Sequence, residues 1–271
     1  MAKTKTKEIV SKSPERRIHI QHDLTVGHGN SLAQPVIIFL PGFLASGRYW
    51  KRVTRLIEQQ SSAKTYTIDL LGFGSAEKPA SAQYTYDDHI SYIRGQLQKR
   101  NLIHPGVPLL IVGHSMGAMI AARYSVDYPD EVSEVVLVNP PLYKNREQAW
   151  STLKNTSIIY KTILDSKIRN FIWIILRVAG PFANHTNHSR EMSLRNVIIP
   201  SLFIEDLARI PHNYTLVVGL RDRAIYLENL GTIVQPRKMK LIKIASDHHS
   251  PRKAPKEIAD IVVDKIQAQT R

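Results

Sequence analysis

Between Leu109 and Val126 the chain reads LLIVGHSMGAMIAARYSV. A continuous apolar run gives way at Gly113 to a helical spacing of apolar residues from Met116 onward, so Ser115 sits at a sharp turn from strand into helix. A turn this short presses backbone against backbone. Gly113 and Gly117 lack the Cβ atoms that would block the approach, and Ser115 is forced into a strained geometry that raises its hydroxyl above the sheet edge. A turn without chemistry would need none of this context, whereas an exposed nucleophile needs all of it.

The remainder of the chain repeats the alternation. PVIIFL (Pro35–Leu40), KTYTIDL (Lys64–Leu70), VPLLIV (Val107–Val112), VSEVVLVN (Val132–Asn139), YTLVVGL (Tyr214–Leu220) and MKLIKIA (Met239–Ala245) read as strands, and RIHIQH (Arg17–His22) as an edge strand. Helical spacing is expected over Gly47–Gln60, Tyr86–Arg100, Met116–Tyr128 and Pro255–Gln269, with GFGSAEKP (Gly72–Pro79) an irregular loop. Strands separated by helices of this length require right-handed crossovers, so the fold class is α/β, a mainly parallel central sheet flanked by helices.

From residue 140 to 211 the rhythm breaks. TSIIYKTILDSKIRNFIWIILRVAGPF is apolar and helical in spacing, but its densest part, Phe171–Ala179, is interrupted by Arg177 and is far shorter than the roughly 20 residues a membrane span needs. It is expected to be a helical cap inserted over a ligand cavity, with an interfacial amphipathic helix as the second reading. The domain organisation is then a basic, flexible stretch at 1–16, a core made of 17–139 and 212–271, and a cap at 140–211.

The 271 residues include no cysteine, so packing alone must hold the fold and no thiolate metal site is available. With 43% hydrophobic and 22% charged residues there is material for a sizeable core. The formal net charge of +14 is shared among the first 17 residues, the middle of the chain and the tail from Pro236. Spread in this way and without a reading element, it does not mark a nucleic-acid protein. Weak association with an anionic membrane surface or an acidic carrier stays open. The N-terminus lacks the apolar h-region of a secretory signal, so the expected location is cytoplasmic, and a monomer is the default state.

Taken together, GHSMG (Gly113–Gly117), FLPGF (Phe39–Phe43), DLLGFGSAEKP (Asp69–Pro79), the insertion after LVNP and the terminal DHHSPRKAP resemble the α/β-hydrolase fold family from about residue 17 to the end. Many members have His-Gly where this chain has Pro41-Gly42, a difference that concerns the loop's supporting hydrogen bonds. The resemblance implies a serine hydrolase with the order nucleophile, acid, histidine. Ser115 is the nucleophile candidate. Asp222, just beyond a strand, stands where the family places its acid; Asn139 occupies the alternative acid position and cannot serve as a carboxylate. In similar sequences the base lies seven residues before the proline opening the last helix, which selects His248 over His249 ahead of Pro255. The main-chain N–H groups of Met116 and Phe43 are the expected oxyanion donors. His114 and His89 are read as structural or exposed.

The implied activity needs no cofactor and no metal. It is hydrolysis of a carboxylic ester of an apolar or aromatic small molecule through an acyl-serine, as in a carboxylesterase. Cleavage of a C–C bond, thioester or lactone by the same triad is the alternative. Two non-enzymatic readings stand beside it: a low-turnover ligand receptor, and a protein that binds an acyl carrier or a membrane surface.

Overall fold

A computed structural model of the protein describes residues 34–104, 109–156, 184–231, 233 and 237–269, all within one compact unit, Ala33–Arg271. The basic N-terminal stretch, the edge strand expected at Arg17–His22, Val107 and the apolar run Phe171–Ala179 lie outside the described residues.

Six strands form one sheet: β1 (Val36–Leu40), β2 (Lys64–Thr67), β3 (Leu109–His114), β4 (Glu134–Val138), β5 (Tyr214–Gly219) and β6 (Met239–Ile244). The order is β2-β1-β3-β4-β5-β6, and every pairing is parallel. The inner strands are buried along their whole length and are mostly apolar because helices cover both faces. Alternate residues of β1 serve opposite cores: Ile37 and Phe39 pack with Trp50, Val53 and Ile258, whereas Ile38 and Leu40 pack with Ile90, Met119 and Phe203. The first core is closed by α1 (Lys51–Gln60) and the C-terminal helix α9 (Pro255–Gln269). The second is closed by α2 (Tyr86–Lys99), α3 (Met116–Asp127) and α6 (Phe203–Arg209). A capping box fixes the start of α2: Thr85 Oγ1 accepts from Asp88 N–H at 3.2 Å, and the Asp88 carboxylate accepts from Thr85 N–H at 3.0 Å.

β2 stops at Thr67, short of the Leu70 expected from hydropathy. It lies at the edge of the sheet formed by the described residues, and the chain turns away at Asp69, whose carboxylate accepts from Gly47 N–H at 2.5 Å and from Ser75 N–H and Oγ at 2.7 and 2.8 Å.

The chain winds outward from β1 to β2, crosses back over β1 to β3, and then proceeds in the other direction through β4, β5 and β6. The switch falls between β1 and β3, so the loops leaving their C-terminal ends diverge and open a crevice there.

The described parts of 140–211 are helical: α4 (Arg146–Thr156), α5 (Asn187–Ser193), a π-helical stretch (Leu194–Ile198) and α6. They are tied to the core. Ser189 Oγ donates to Gly72 O at 2.9 Å and Asn196 Nδ2 to Gln83 O at 2.6 Å, while Ser201 Oγ donates to Tyr143 O at 3.0 Å within the segment itself. Among the described residues no helix is long and apolar enough to cross a membrane.

Candidate active site

Ser115 follows β3 and precedes α3 with no residue between, and its backbone adopts φ 53° and ψ −119°. Positive φ is costly for a residue with a side chain, so the surrounding structure must hold it there. Ser115 N–H donates to Val138 O at 2.9 Å. The flanking glycines leave no space for a methyl group. A Cβ on Gly113 would lie 2.4 Å from Gly117 O, and one on Gly117 would lie 2.4 Å from Pro41 O.

Five neighbouring strand ends contribute to the site. The loop after β1 carries Phe43, β3 leads into Ser115, β4 into Asn139, β5 into Asp222, and the loop after β6 carries His248. That last loop folds back until His248 Nε2 lies 3.0 Å from Ser115 Oγ, while Nδ1 lies 2.9 Å from Asp222 Oδ2. The structure therefore brings Ser115, His248 and Asp222 into one hydrogen-bonded line. With Nδ1 facing a carboxylate, Nδ1 is assigned the proton, and Nε2 presents its lone pair to the serine hydroxyl.

Asp222 is held from three sides. Besides His248, Asn139 Nδ2 donates to Oδ2 at 2.9 Å and Arg223 N–H donates to Oδ1 at 2.7 Å. Burial alone would raise this carboxyl, but the hydrogen bond and charge of His248 together with the Asn139 and Arg223 donors outweigh it and hold Asp222 below the ordinary carboxylate value. A carboxyl depressed by folding stabilises the native state above its unfolded value of about 3.9, and this contribution is lost as pH falls through the lower folded value. Thermal unfolding of wild type and Asp222→Asn should thus differ most near neutral pH, and the difference should shrink below about pH 4. A gap that stays constant to lower pH would contradict the assignment.

Met116 is the first residue of α3, where an N–H has no acceptor within the helix and the helix end is electropositive. Phe43 lies in the turn closed by Ala45 N–H on Gly42 O at 3.1 Å. A Cβ on Gly42 would stand 3.1 Å from Ser115 Cβ, so this turn backs directly onto the serine.

Sequence reasoning missed three supporting residues. Asn139, set aside as unable to act as the acid, is buried with φ 47° and links the two loops: besides binding Asp222, its Oδ1 accepts from Ser250 Oγ at 2.7 Å. Gly219 ends β5 where a Cβ would meet Ser246 O at 2.6 Å and Asp247 O at 2.8 Å, so the loop bearing His248 can cross only over a bare backbone. His114, read as structural or exposed, is buried and donates from Nε2 to the His248 carbonyl at 2.7 Å while its ring stacks on Tyr49 at 4.8 Å. Burial, with the adjacent His248, pushes His114 down to about 3, so it is neutral and carries its proton on Nε2. His89 is buried as well, 3.3 Å from Ser193 Oγ. No periodic signal in the sequence could reveal these contacts, because each spans distant segments. Replacing His114 by phenylalanine keeps an aromatic ring against Tyr49 but strands the His248 carbonyl, and should lower the unfolding free energy by about 1–3 kcal/mol in denaturant titration.

Fold and site together define a class in which a parallel sheet presents a serine on a strand-to-helix turn. The chain has the α/β-hydrolase fold: a family model described as alpha/beta hydrolase fold matches residues 35–160. The Arabidopsis thaliana "Probable lysophospholipase BODYGUARD 4" is 25% identical over 222 residues, 69% of this chain and 52% of the relative. The chain thus spans about half the length of that relative. "Lipase 1" of Psychrobacter immobilis is 28% identical over 226 residues, 76% of this chain and 68% of the relative. Among solved structures, a hydrolase from Pseudomonas aeruginosa PA01 superposes with a TM-score of 0.65 at 15% identity, covering 85% of this chain and 89% of that one.

Proposed function

We propose that the protein is a serine hydrolase that cleaves a carboxylic ester, with water as the final acceptor. The observation that carries this reading is the line from Ser115 Oγ through His248 to Asp222, with separations of 3.0 and 2.9 Å. Ser115 Oγ attacks the ester carbonyl carbon as His248 Nε2 takes its proton, and the carbonyl π electrons move onto oxygen. The Met116 and Phe43 N–H groups meet that oxyanion, each such donor being worth about 2.7–4 kcal/mol. Collapse expels the alcohol, which His248 protonates, and leaves the acyl group on Oγ. A water activated by the same nitrogen then releases the acid and restores the hydroxyl. Asp222 orients the ring and stabilises the imidazolium throughout. The described helices of the 140–211 segment, Arg146–Thr156, Asn187–Ser193 and Phe203–Arg209, are assigned to a cap over the acyl group. The relatives named as lysophospholipase and lipase support an acyl ester as the substrate.

The test is labelling of the wild-type protein by a fluorophosphonate probe, alongside turnover of p-nitrophenyl esters of increasing chain length. The expected result is an adduct mapped to Ser115 and a chain-length optimum. A folded protein that neither labels nor turns over any ester would overturn the reading in favour of ligand binding without catalysis.

A further inference from the structure

One cavity outside the Ser115 line has a composition that the ester reaction does not use. It measures about 370 Å³ and is lined by Arg52, His249, Arg252 and Lys253. Arg52 belongs to α1, while Arg252 and Lys253 belong to the short helix α8 (Ser250–Lys253). The Arg52 guanidinium donates to the main-chain oxygen of Arg252 at 2.9 Å, which gathers two arginines from distant parts of the chain onto one rim. Lys253 is paired with Asp247, but neither arginine has a carboxylate partner among the described residues. Two guanidiniums without an ion-pair partner among the described residues, beside a Lys253 whose charge is balanced by Asp247, leave a local positive potential that a bound anion relieves. His249 completes the wall. Its Nδ1 lies 2.9 Å from the Tyr49 hydroxyl, and with that hydroxyl as donor its Nε2 carries a proton and can donate in turn. The cavity is also coupled to the site by position: His249 directly follows His248, their ring centroids are 5.8 Å apart, and Tyr49 stacks on His114.

We infer that this cavity is an anion subsite for a phosphate group, and that the substrate is an ester with its acyl carbonyl at Ser115 and a phosphate at Arg52, Arg252 and His249. The inference rests on the acyl-ester reading for its substrate half. Its binding half stands alone. Planar guanidiniums favour phosphate because they meet it with paired N–H donors, whereas a neutral ester would leave the cavity without a partner.

The experiment has two arms. In the first, inorganic phosphate and glycerophosphocholine are titrated separately into the Ser115→Ala protein while the His249 imidazole resonances are followed by NMR. The titrations are repeated with Arg252→Gln added, a change that keeps the carbonyl to which Arg52 donates. In the second, kcat/KM is compared for a short-chain acyl-glycerophosphocholine and a monoacylglycerol with the same acyl chain. We expect a saturable His249 shift that Arg252→Gln abolishes, and a preference for the phosphate-bearing ester that falls about tenfold in the variant. Equal loss on both esters, or no saturable shift with either anion, overturns the subsite even where ester turnover stands. Binding of inorganic phosphate without glycerophosphocholine overturns the substrate half, because the occupant is then free phosphate. Arginine-dependent binding of both anions with no ester cleaved supports the subsite and locates the failure in the acyl-ester reading.

Discussion

Replacing Ser115 by alanine is expected to lower kcat for a p-nitrophenyl ester by on the order of 10⁶, to the level left by binding and the oxyanion donors. The hydroxyl is the atom that forms the covalent bond, and no other side chain replaces it in the line to His248 Nε2 at 3.0 Å. The informative comparison is the pair of variants. Adding His248→Ala to Ser115→Ala should cost almost nothing further, because the two groups act as one unit. A double variant much less active than Ser115→Ala would show that His248 contributes through a separate route and would break the proposed relay. Folding gives a second readout. Alanine retains the unfavourable φ of 53°, so Ser115→Ala should melt close to wild type, whereas Ser115→Gly removes the strain and should be stabilised.

The second large effect is steric. Gly117→Ala places a methyl carbon 2.4 Å from Pro41 O and 2.5 Å from Leu40 O, both main-chain atoms at the end of a central strand that cannot swing aside. Either α3 lifts away from β1 or the turn opens, and each breaks packing in the larger core. The expected loss is about 3 kcal/mol or more, a large fraction of a typical domain's stability. The same one-carbon change at Gly95, inside α2, meets nothing within 4 Å and should stabilise the protein by about 0.5–1 kcal/mol, because alanine has less backbone freedom to lose in a helix. Urea midpoints of the two variants should therefore move in opposite directions from wild type. If both moved the same way, the close approach of α3 to β1 at the turn would be wrong.

These two substitutions also show where sequence reading ends. The presence of Ser115 between Gly113 and Gly117, after an apolar run and before helical spacing, is a local pattern, and local patterns of period two and 3.6 survive without knowledge of the fold. For the same reason the six described strands and the helices expected over Gly47–Gln60, Tyr86–Arg100, Met116–Tyr128 and Pro255–Gln269 were legible to within a few residues at their ends, whereas the short helices Ala224–Leu230 and Ser250–Lys253 were not expected. Asp222 and His248 stood out as candidates because each lies just beyond a strand at a spacing that the resemblance to the family suggests. The end of β2 was not legible, since hydropathy continues to Leu70 while the chain is turned away by the bonds gathered on Asp69.

By itself, then, the sequence determined the class of fold, a parallel sheet with helices on both faces, and which residue types were available to act. Only the tertiary structure decided how they are held. Asn139 looks like a failed acid in the sequence, yet it joins Asp222 to Ser250. His114 reads as structural or exposed in the sequence, and the fold makes it structural by seating it on the His248 carbonyl. Gly219 looks like an ordinary strand end, yet it is the bare backbone over which the His248 loop crosses. The gathering of Arg52 with Arg252 belongs to the same group. Each of these contacts joins segments between about 25 and 200 positions apart. Hydrogen bonding and steric exclusion act over a few ångströms in space, and a periodic pattern along the chain carries no record of which distant residues the sheet will bring that close.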